Sequence, residues 1–181
     1  PVSTPTGPVK QTDGAPKDKG EFTLNCVPSP ELRFEGPVGE RVRANIDQWL
    51  LEAPANNPGL FDMFARRDTG AKPDLVPWAG EFVGKYLISA VQAKQLSADP
   101  RLEKAVREVV DRLVQLQAAD GYLGPWPKHE RLRGHWDLWG HYHIMLGLLR
   151  WHELTGDPRA EKVSRRIADL ICATCLDTDF R

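Results

Sequence analysis

Two stretches of the chain match each other at a constant offset of 58 residues, and this repeat limits the possible folds more than any other feature. Each stretch opens with an Asp-Pro pair, Asp99-Pro100 in the first copy and Asp157-Pro158 in the second. An aspartate cap followed by proline at the first helical position is typical of a helix start. The first copy contains Asp99, Pro100, Arg101, Glu103, Lys104, Arg107 and Asp111, and the second contains Asp157, Pro158, Arg159, Glu161, Lys162, Arg165 and Asp169.

Each repeated helix is preceded by a longer helix-compatible segment, Trp78–Leu96 in one unit and Trp136–Leu154 in the other. These longer segments are apolar around most of their circumference, which is typical of inner helices. The helices that follow them carry a single apolar stripe, which is typical of an outer layer. A repeated helical hairpin cannot bury its apolar face alone, so such units stack side by side. The sequence therefore predicts an all-α fold of helical hairpins that forms part of an (α/α)6 toroid.

The region before Trp78 divides into two parts. Residues 1–37 contain many prolines and glycines without periodicity and predict an extended arm, so the partial barrel domain is assigned to residues 38–181. Helical spacing begins after Gly39 and is expected to stop at Pro54. Asn57-Pro58 then predicts the cap and first residue of a short helix.

The overall charge excludes some classes of partner. Twenty-four basic and 25 acidic side chains leave a formal charge of −1, which offers no basic field for a nucleic acid backbone. No apolar run is long enough to cross a bilayer. No signal pattern opens the sequence, although one could precede it, and a secreted or periplasmic location is favoured over the cytoplasm.

The three cysteines and the histidine pair do not form a metal-binding pattern. Cys172 and Cys175 lie in an apolar helical stretch with no second ligand pair nearby, and both are expected to pack in the core, whereas Cys26 lies in the arm. His141 and His143 are about 200° apart around a helix, so they cannot hold one zinc ion together. No metal site is therefore predicted within the chain.

Both inner helices begin with aromatic and polar side chains that share one face at about 100° per residue. Tryptophan faces stack on the C–H faces of sugars, and the neighbouring polar groups can bind their hydroxyls. Taken singly, each such residue is more simply a packing or capping residue; only the clustering at matching repeat positions favours a sugar site. The shared face holds Trp78, Glu81, Lys85, Ser89 and Gln92 in the first unit and Trp136, Trp139, His143, Gly147 and Arg150 in the second.

Four segments in this order resemble glycoside hydrolase family 127: WAGEFVGKYL (Trp78–Leu87), QAADGYLG (Gln117–Gly124), WDLWGHYH (Trp136–His143) and LTGD (Leu154–Asp157). The resemblance extends from about Gly39 to the C-terminus. It implies the six-hairpin α/α barrel of bacterial β-L-arabinofuranosidases. A hydrolase acting on plant or microbial glycans is therefore expected, with an α/α-toroid lyase or sugar epimerase, or a non-catalytic carbohydrate-binding module, as alternatives.

The family has a Glu-Leu-Tyr-x-x-Gly-His segment whose histidine contacts sugar. Counted back from the Thr-Gly turn, that histidine falls on His143 and the glutamate on Asp137. This sequence departs from the pattern, because Tyr142 replaces the glycine and a Gly-His pair occurs instead at His141. Together with the shared face and a rim loop, the predicted substrate-binding set is Glu81, Lys85, Asp120, Tyr122, Trp136, Asp137 and His143.

The resemblance also implies a cysteine nucleophile held by zinc and a glutamate acid/base in the later part of the barrel, beyond Arg181. No catalytic residue or cofactor is therefore assigned within this chain, although zinc is expected in the full-length protein. A half-ring would leave one apolar flank exposed, so we expect it to bind the remainder of the barrel or to self-associate.

Overall fold

The computed structural model describes residues 34–70 and 74–176, and all regular secondary structure in these ranges is helical. The all-α prediction is confirmed. Residues 1–33 of the predicted arm, including Cys26, lie outside the described residues. The helices are α1 (Gly36–Asn45), continued by a π-helical turn (Ile46–Leu50), α2 (Ala53–Asn56), α3 (Gly59–Arg66), α4 (Glu81–Ser97), α5 (Pro100–Leu116), α6 (Asp137–Thr155) and α7 (Pro158–Cys175).

The two Asp-Pro pairs begin α5 and α7 as predicted. A side-chain oxygen of Asp99 accepts the backbone N–H of Arg101 at 2.9 Å, and Asp157 accepts that of Arg159 at 3.0 Å. Each cap satisfies a backbone donor that the first helical turn leaves free. The hydrogen bonds from Arg159 lower the pKa of Asp157 to about 2.

The same two arginines join each outer helix to the preceding part of the chain. The Arg101 guanidinium lies 2.7 Å from a carboxylate oxygen of Asp47, beside the end of α1. Arg159 makes the equivalent contact with Asp111 of α5, also at 2.7 Å. Equivalent positions of the two units therefore perform the same structural task, which supports the 58-residue repeat.

The inner helices α4 and α6 lie side by side and run in the same direction, as the repeat predicts. A Cβ atom on Gly84 would lie 2.4 Å from the backbone of His143, and one on Gly147 would lie 2.6 Å from Leu87. A later residue of α4 therefore contacts a later residue of α6, so the two helices are parallel. Glycine is required at both points because the two backbones approach too closely for a side chain.

The outer helices close the hairpins over a shared core. The apolar stripe predicted for α5 is buried from Leu102 to Leu113, and α7 buries Val163 and Ile167 against the same core. α4 contacts α5, and α6 contacts α7, within each hairpin. Within residues 34–70 and 74–176, no helix is long and apolar enough to cross a membrane.

The first helices differ from the prediction in where they begin and end. The first helix begins at Gly36, before the start expected after Gly39, and Pro54 lies inside α2 rather than ending a run. Asn57 does not cap α3, because its side-chain amide donates to the carbonyl of Ala53 at 2.8 Å and so belongs to the end of α2. Pro58 stands immediately before α3 instead of inside it.

The prediction that both C-terminal cysteines pack in the core is wrong for Cys172, which is exposed, whereas Cys175 is half-buried. The buried stripe of α7 passes through Ile167 to the half-buried Ile171. Since each helical residue turns by about 100°, Cys172 points away from that stripe. The end of α5 also differs: the helix ends at Leu116, before the expected Asp120-Gly121.

Candidate functional site

The starts of α4 and α6 bring polar and aromatic side chains together. A carboxylate oxygen of Glu81 accepts a hydrogen bond from Lys85 at 2.6 Å, and its other oxygen accepts the indole N–H of Trp139, also at 2.6 Å. Trp139 meets the ring of His143 edge-on, with ring centres 4.6 Å apart. Three residues of the predicted set, Glu81, Lys85 and His143, therefore form one cluster.

His143 is the member of this cluster best suited to bind a ligand. Both of its ring nitrogens are shielded from solvent and have no hydrogen-bond partner. Burial lowers the pKa of His143, the nearby Lys85 lowers it further, and Glu81 partly opposes them. The imidazole is therefore neutral near pH 7, with one nitrogen as donor and the other as acceptor. Unsatisfied polar atoms of this kind are rare in proteins and need an explanation such as a ligand.

Trp136 lies at the surface beside its repeat counterpart Trp78. Their ring centres are 6.2 Å apart, their planes are inclined by 59°, and the side chains are 54% and 49% exposed, respectively. The backbone N–H of Trp136 donates to the carbonyl of Pro77 at 2.9 Å, which ties the two helix starts together. Trp136 is therefore an exposed neighbour of Trp78 at the starts of α4 and α6.

Asp137 was predicted to lie with Glu81 and His143 on one substrate-binding surface, and Tyr122 on a loop at its rim; instead both are buried. The Tyr122 hydroxyl lies 3.0 Å from both oxygens of Asp137 and accepts the backbone N–H of Trp126 at 3.1 Å. Asp137 also accepts the N–H of Leu132 at 2.8 Å. Burial and the adjacent Asp137 raise the pKa of Tyr122, so its hydroxyl remains protonated. The hydrogen bonds of this buried pair stabilise the loop between α5 and α6 from its buried side.

Two further features show how closely that loop depends on the buried pair. Leu132 has a φ of 61°, a left-handed backbone conformation that a branched side chain rarely adopts. The carboxylate of Asp137 compensates by binding its N–H. A Cβ on Gly124 would lie 2.4 Å from the Tyr122 hydroxyl and 2.8 Å from Asp137, so only glycine fits there.

Asp120 also lies apart from the Glu81 cluster. Its carboxylate bonds to Arg131 at 2.6 Å and accepts the N–H of Tyr122 at 3.1 Å. Burial alone would raise the pKa of Asp120, but these bonds to Tyr122 and Arg131 lower it overall. Arg166 of the outer helix α7 binds the carbonyl of the preceding Ala119 at 2.8 Å. This end of the loop therefore packs against the outer layer and not over the inner helices.

The geometry distinguishes the two histidines that compete for the family position. His141 is buried, with Nδ1 2.8 Å from the carbonyl of Asp137, and its Nε2 accepts the N–H of Leu123 at 3.4 Å. Both of its nitrogens are occupied within the protein, whereas those of His143 are not. His141 therefore supports the loop, and His143 is the histidine whose hydrogen-bonding groups have no partner among the described residues.

The similarity of the chain to known proteins identifies its family. A family model described as the GH127 catalytic domain of β-L-arabinofuranosidase matches residues 40–179. The chain belongs to glycoside hydrolase family 127. A relative from Bifidobacterium longum, named non-reducing end β-L-arabinofuranosidase, is 28% identical over 109 residues, which cover 54% of this chain and 16% of the relative.

Solved structures of family 127 share the fold. A β-L-arabinofuranosidase from Geobacillus stearothermophilus T6 superposes with a TM-score of 0.59 at 20% identity, covering 74% of this chain and 24% of that one. A second family-127 β-arabinofuranosidase gives a TM-score of 0.58 at 20% identity, covering 75% and 24%. The chain therefore has the fold of part of an α/α barrel and spans about a quarter of these structures.

Trp139 is a residue of the Glu81 cluster that the predicted set omitted. It lies on the predicted shared face, but the set left it out although it contacts Glu81 directly. The two residues are 58 positions apart, so they occupy equivalent places in the two units. The repeat therefore contained a signal for this contact, since parallel neighbouring helices bring equivalent positions close together.

Proposed function

We propose that this chain forms the sugar-binding front part of a family-127 catalytic barrel, and that the full-length protein hydrolyses β-L-arabinofuranosidic bonds in plant or microbial glycans. The observation that carries the proposal is His143, whose two ring nitrogens have no partner within a cluster of Glu81, Lys85 and Trp139. A neutral imidazole can donate to one sugar hydroxyl and accept from another. The names of the relatives favour hydrolysis over a lyase, an epimerase or a binding module.

Glu81 and Trp139 have supporting roles in this proposal. The Glu81 carboxylate neutralises Lys85 and fixes the Trp139 indole, which in turn holds the His143 ring edge-on. Each of these side chains is thus held in one orientation before a ligand arrives. Such preorganisation lowers the entropic cost of binding.

Catalytic groups are proposed to come from outside this chain, beyond Arg181. Glycoside hydrolysis needs two catalytic groups on either side of the scissile bond, and the family resemblance implies a cysteine and a glutamate of the later part of the barrel for these roles. Asp137 cannot provide one because it is buried under the loop, and Glu81 is engaged by Lys85 and Trp139. Binding, not bond cleavage, is therefore the role of the described residues.

The zinc that the family resemblance implies does not fit the described residues. Across 34–70 and 74–176, no three His, Cys, Asp or Glu side chains are grouped so that they could hold a metal ion. Cys172 is exposed on the outer helix α7, away from the His143 cluster. No step of the proposed binding mechanism therefore involves zinc.

The partner proposed for the open flank of α6 is the next hairpin of the barrel. On α4, Gly84 and Leu87 face α6. Their equivalents on α6, 58 residues later, are Tyr142, which is half exposed, and Met145, which is partly exposed. Both side chains keep exposed surface that a following inner helix would cover, and self-association through the same flank is the alternative for the isolated chain.

The test uses the full-length protein and an aryl β-L-arabinofuranoside. His143→Ala is expected to lower kcat/KM by about tenfold to a hundredfold, the effect of losing hydrogen bonds to the substrate, with little change in Tm. His129→Ala is the matched control, because its side chain is 79% exposed and outside the cluster. Unsaturated products from a uronate polymer, with no release of the aryl group, would show a lyase instead.

The 181-residue chain is expected to show no turnover alone, with or without zinc. Turnover that disappears in Glu81→Gln would show that the chain has its own catalytic carboxylate. That result would overturn the binding role proposed for Glu81.

A further inference from the structure

The surface around Trp136 carries a second feature, separate from the His143 cluster. A depression of about 430 Å³ opens beside this side chain, where the loop between α5 and α6 meets the first turn of α6. This volume is large enough for a monosaccharide residue. Its lining residues are Leu132, Arg133, Gly134, His135, Trp136, Leu138 and Trp139.

The depression and the His143 cluster share one residue, Trp139. One side of this indole lines the depression, and its N–H binds Glu81. A glycan with one sugar at His143 would therefore extend towards Trp136. The two places are parts of one surface, with the indole of Trp139 between them.

The tryptophans at this end are exposed at both equivalent repeat positions. Trp78 and Trp136 are 49% and 54% exposed, so each retains an open ring face. The equivalent caps Asp99 and Asp157, in contrast, have a structural task in both units, because each binds the backbone N–H of a first-turn arginine. Large exposed aromatics that repeat in this way form a binding surface, because repeat proteins align equivalent positions along one face.

The walls of the depression combine an aromatic face with a hydrogen-bond donor. Arg133 is exposed and has no ion pair with another described residue, so its five N–H groups are available to a ligand. The ring of His135 is stacked on Trp126 at 3.7 Å and is therefore fixed. An apolar wall beside polar donors is the arrangement that a sugar ring fits, with its C–H face on the indole and its hydroxyls on the donors.

We infer that Trp136, with Trp78 beside it and Arg133 on the loop, forms a subsite for a sugar residue next to the one bound at His143. This inference rests on the proposed function for its choice of glycan. The subsite determines specificity, because it favours a chain of at least two sugars over a single sugar. It plays no part in bond cleavage.

The test measures binding of a soluble arabinan that contains β-linked L-arabinofuranosyl residues to the 181-residue chain by affinity electrophoresis, with circular dichroism to verify that each variant is folded. Trp136→Ala and Trp78→Ala are each expected to weaken binding by about fivefold to tenfold, the usual effect of removing an aromatic anchor. Trp136→Phe is expected to retain most of the affinity. Leu154→Ala is the control, because this exposed leucine is near the opposite end of α6, about 27 Å away.

A second measurement uses the indole N–H signals in NMR spectra during titration with an arabinan disaccharide. The signals of Trp136 and Trp78, assigned from the variants, are expected to shift, and methyl β-L-arabinofuranoside should shift them less. Equal binding by wild type and Trp136→Ala, or unshifted indole signals, would overturn the subsite. Such a failure is separable from the proposed function, which is judged by hydrolysis and by His143→Ala.

Discussion

Replacing Asp137 with alanine distinguishes a structural carboxylate from a sugar ligand. The side chain is 1% exposed and accepts two buried donors, the Tyr122 hydroxyl and the Leu132 N–H. Each donor left without a partner costs about 1–3 kcal/mol. We therefore expect Asp137→Ala to lower the free energy of unfolding by about 2–6 kcal/mol, a large fraction of the 5–15 kcal/mol typical of a domain.

For a domain of this size, each 1 kcal/mol shifts Tm by about 2–4 °C. A loss near the middle of the range, about 4 kcal/mol, corresponds to a decrease of about 8–16 °C. Thermal unfolding of the 181-residue chain followed by circular dichroism measures it. Glu153→Ala is the control, because this carboxylate is 62% exposed with one ion pair to Arg150, and its loss should stay within about 0.5 kcal/mol.

The neighbouring hydroxyl provides a second check on the same reasoning. Tyr122→Phe removes the group that joins Asp137 to the Trp126 N–H. Since the two side chains act as one unit, the double variant with Asp137→Ala should lose less stability than the sum of the single variants. If Asp137→Ala unfolds within 2 °C of wild type (roughly 1 kcal/mol or less) and instead loses arabinan binding, the buried-support explanation is wrong.

Three further predictions concern other parts of the chain. Lys85→Met should raise the pKa of His143 towards its usual value, because one of the charges that lower it is removed; an NMR titration of the ring protons that shows no rise would contradict this. Gly84→Ala should destabilise the chain by about 1–3 kcal/mol in chemical unfolding, since its Cβ would lie 2.4 Å from the facing backbone, whereas Gly59→Ala, with open space around it, should not. The pKa of the Asp157 carboxyl is about 2 in the folded chain and 3.8 normally. Its contribution to stability is therefore present above pH 4 and lost as the pH falls towards 2. In a plot of unfolding free energy against pH, Asp157→Ala should flatten the part between pH 4 and pH 2.

Local chemistry made the helical framework predictable. The caps Asp99 and Asp157 act through hydrogen bonds that span two residues, so the sequence alone indicates them. The repeat offset then predicted that α4 and α6 are neighbours, because equivalent positions of neighbouring parallel helices lie close together. The predicted cap at Asn57 was wrong because the side chain of Asn57 lies between two helices and binds the end of α2 instead of the start of α3.

The candidate site was harder to predict because helical spacing indicates a face but not what covers it. Asp137 is in the first turn of α6, close to the exposed Trp136, yet the loop from Tyr122 to Leu132 folds over it. That loop has no periodicity, so its path cannot be derived from a helical pattern. Glu81 and His143 were predictable because their contacts lie between equivalent faces of α4 and α6, which the repeat brings together.

The glycine contacts between the inner helices have a consequence for the curvature of the barrel. α4 and α6 approach closely at Gly84 and Gly147, whereas the outer helices α5 and α7 share less surface and are joined through the long side chain of Arg159. Each hairpin is thus a wedge, narrow inside and wide outside. Stacked wedges curve the layer of hairpins, so Gly84 and Gly147 help to determine the inner radius of the α/α barrel.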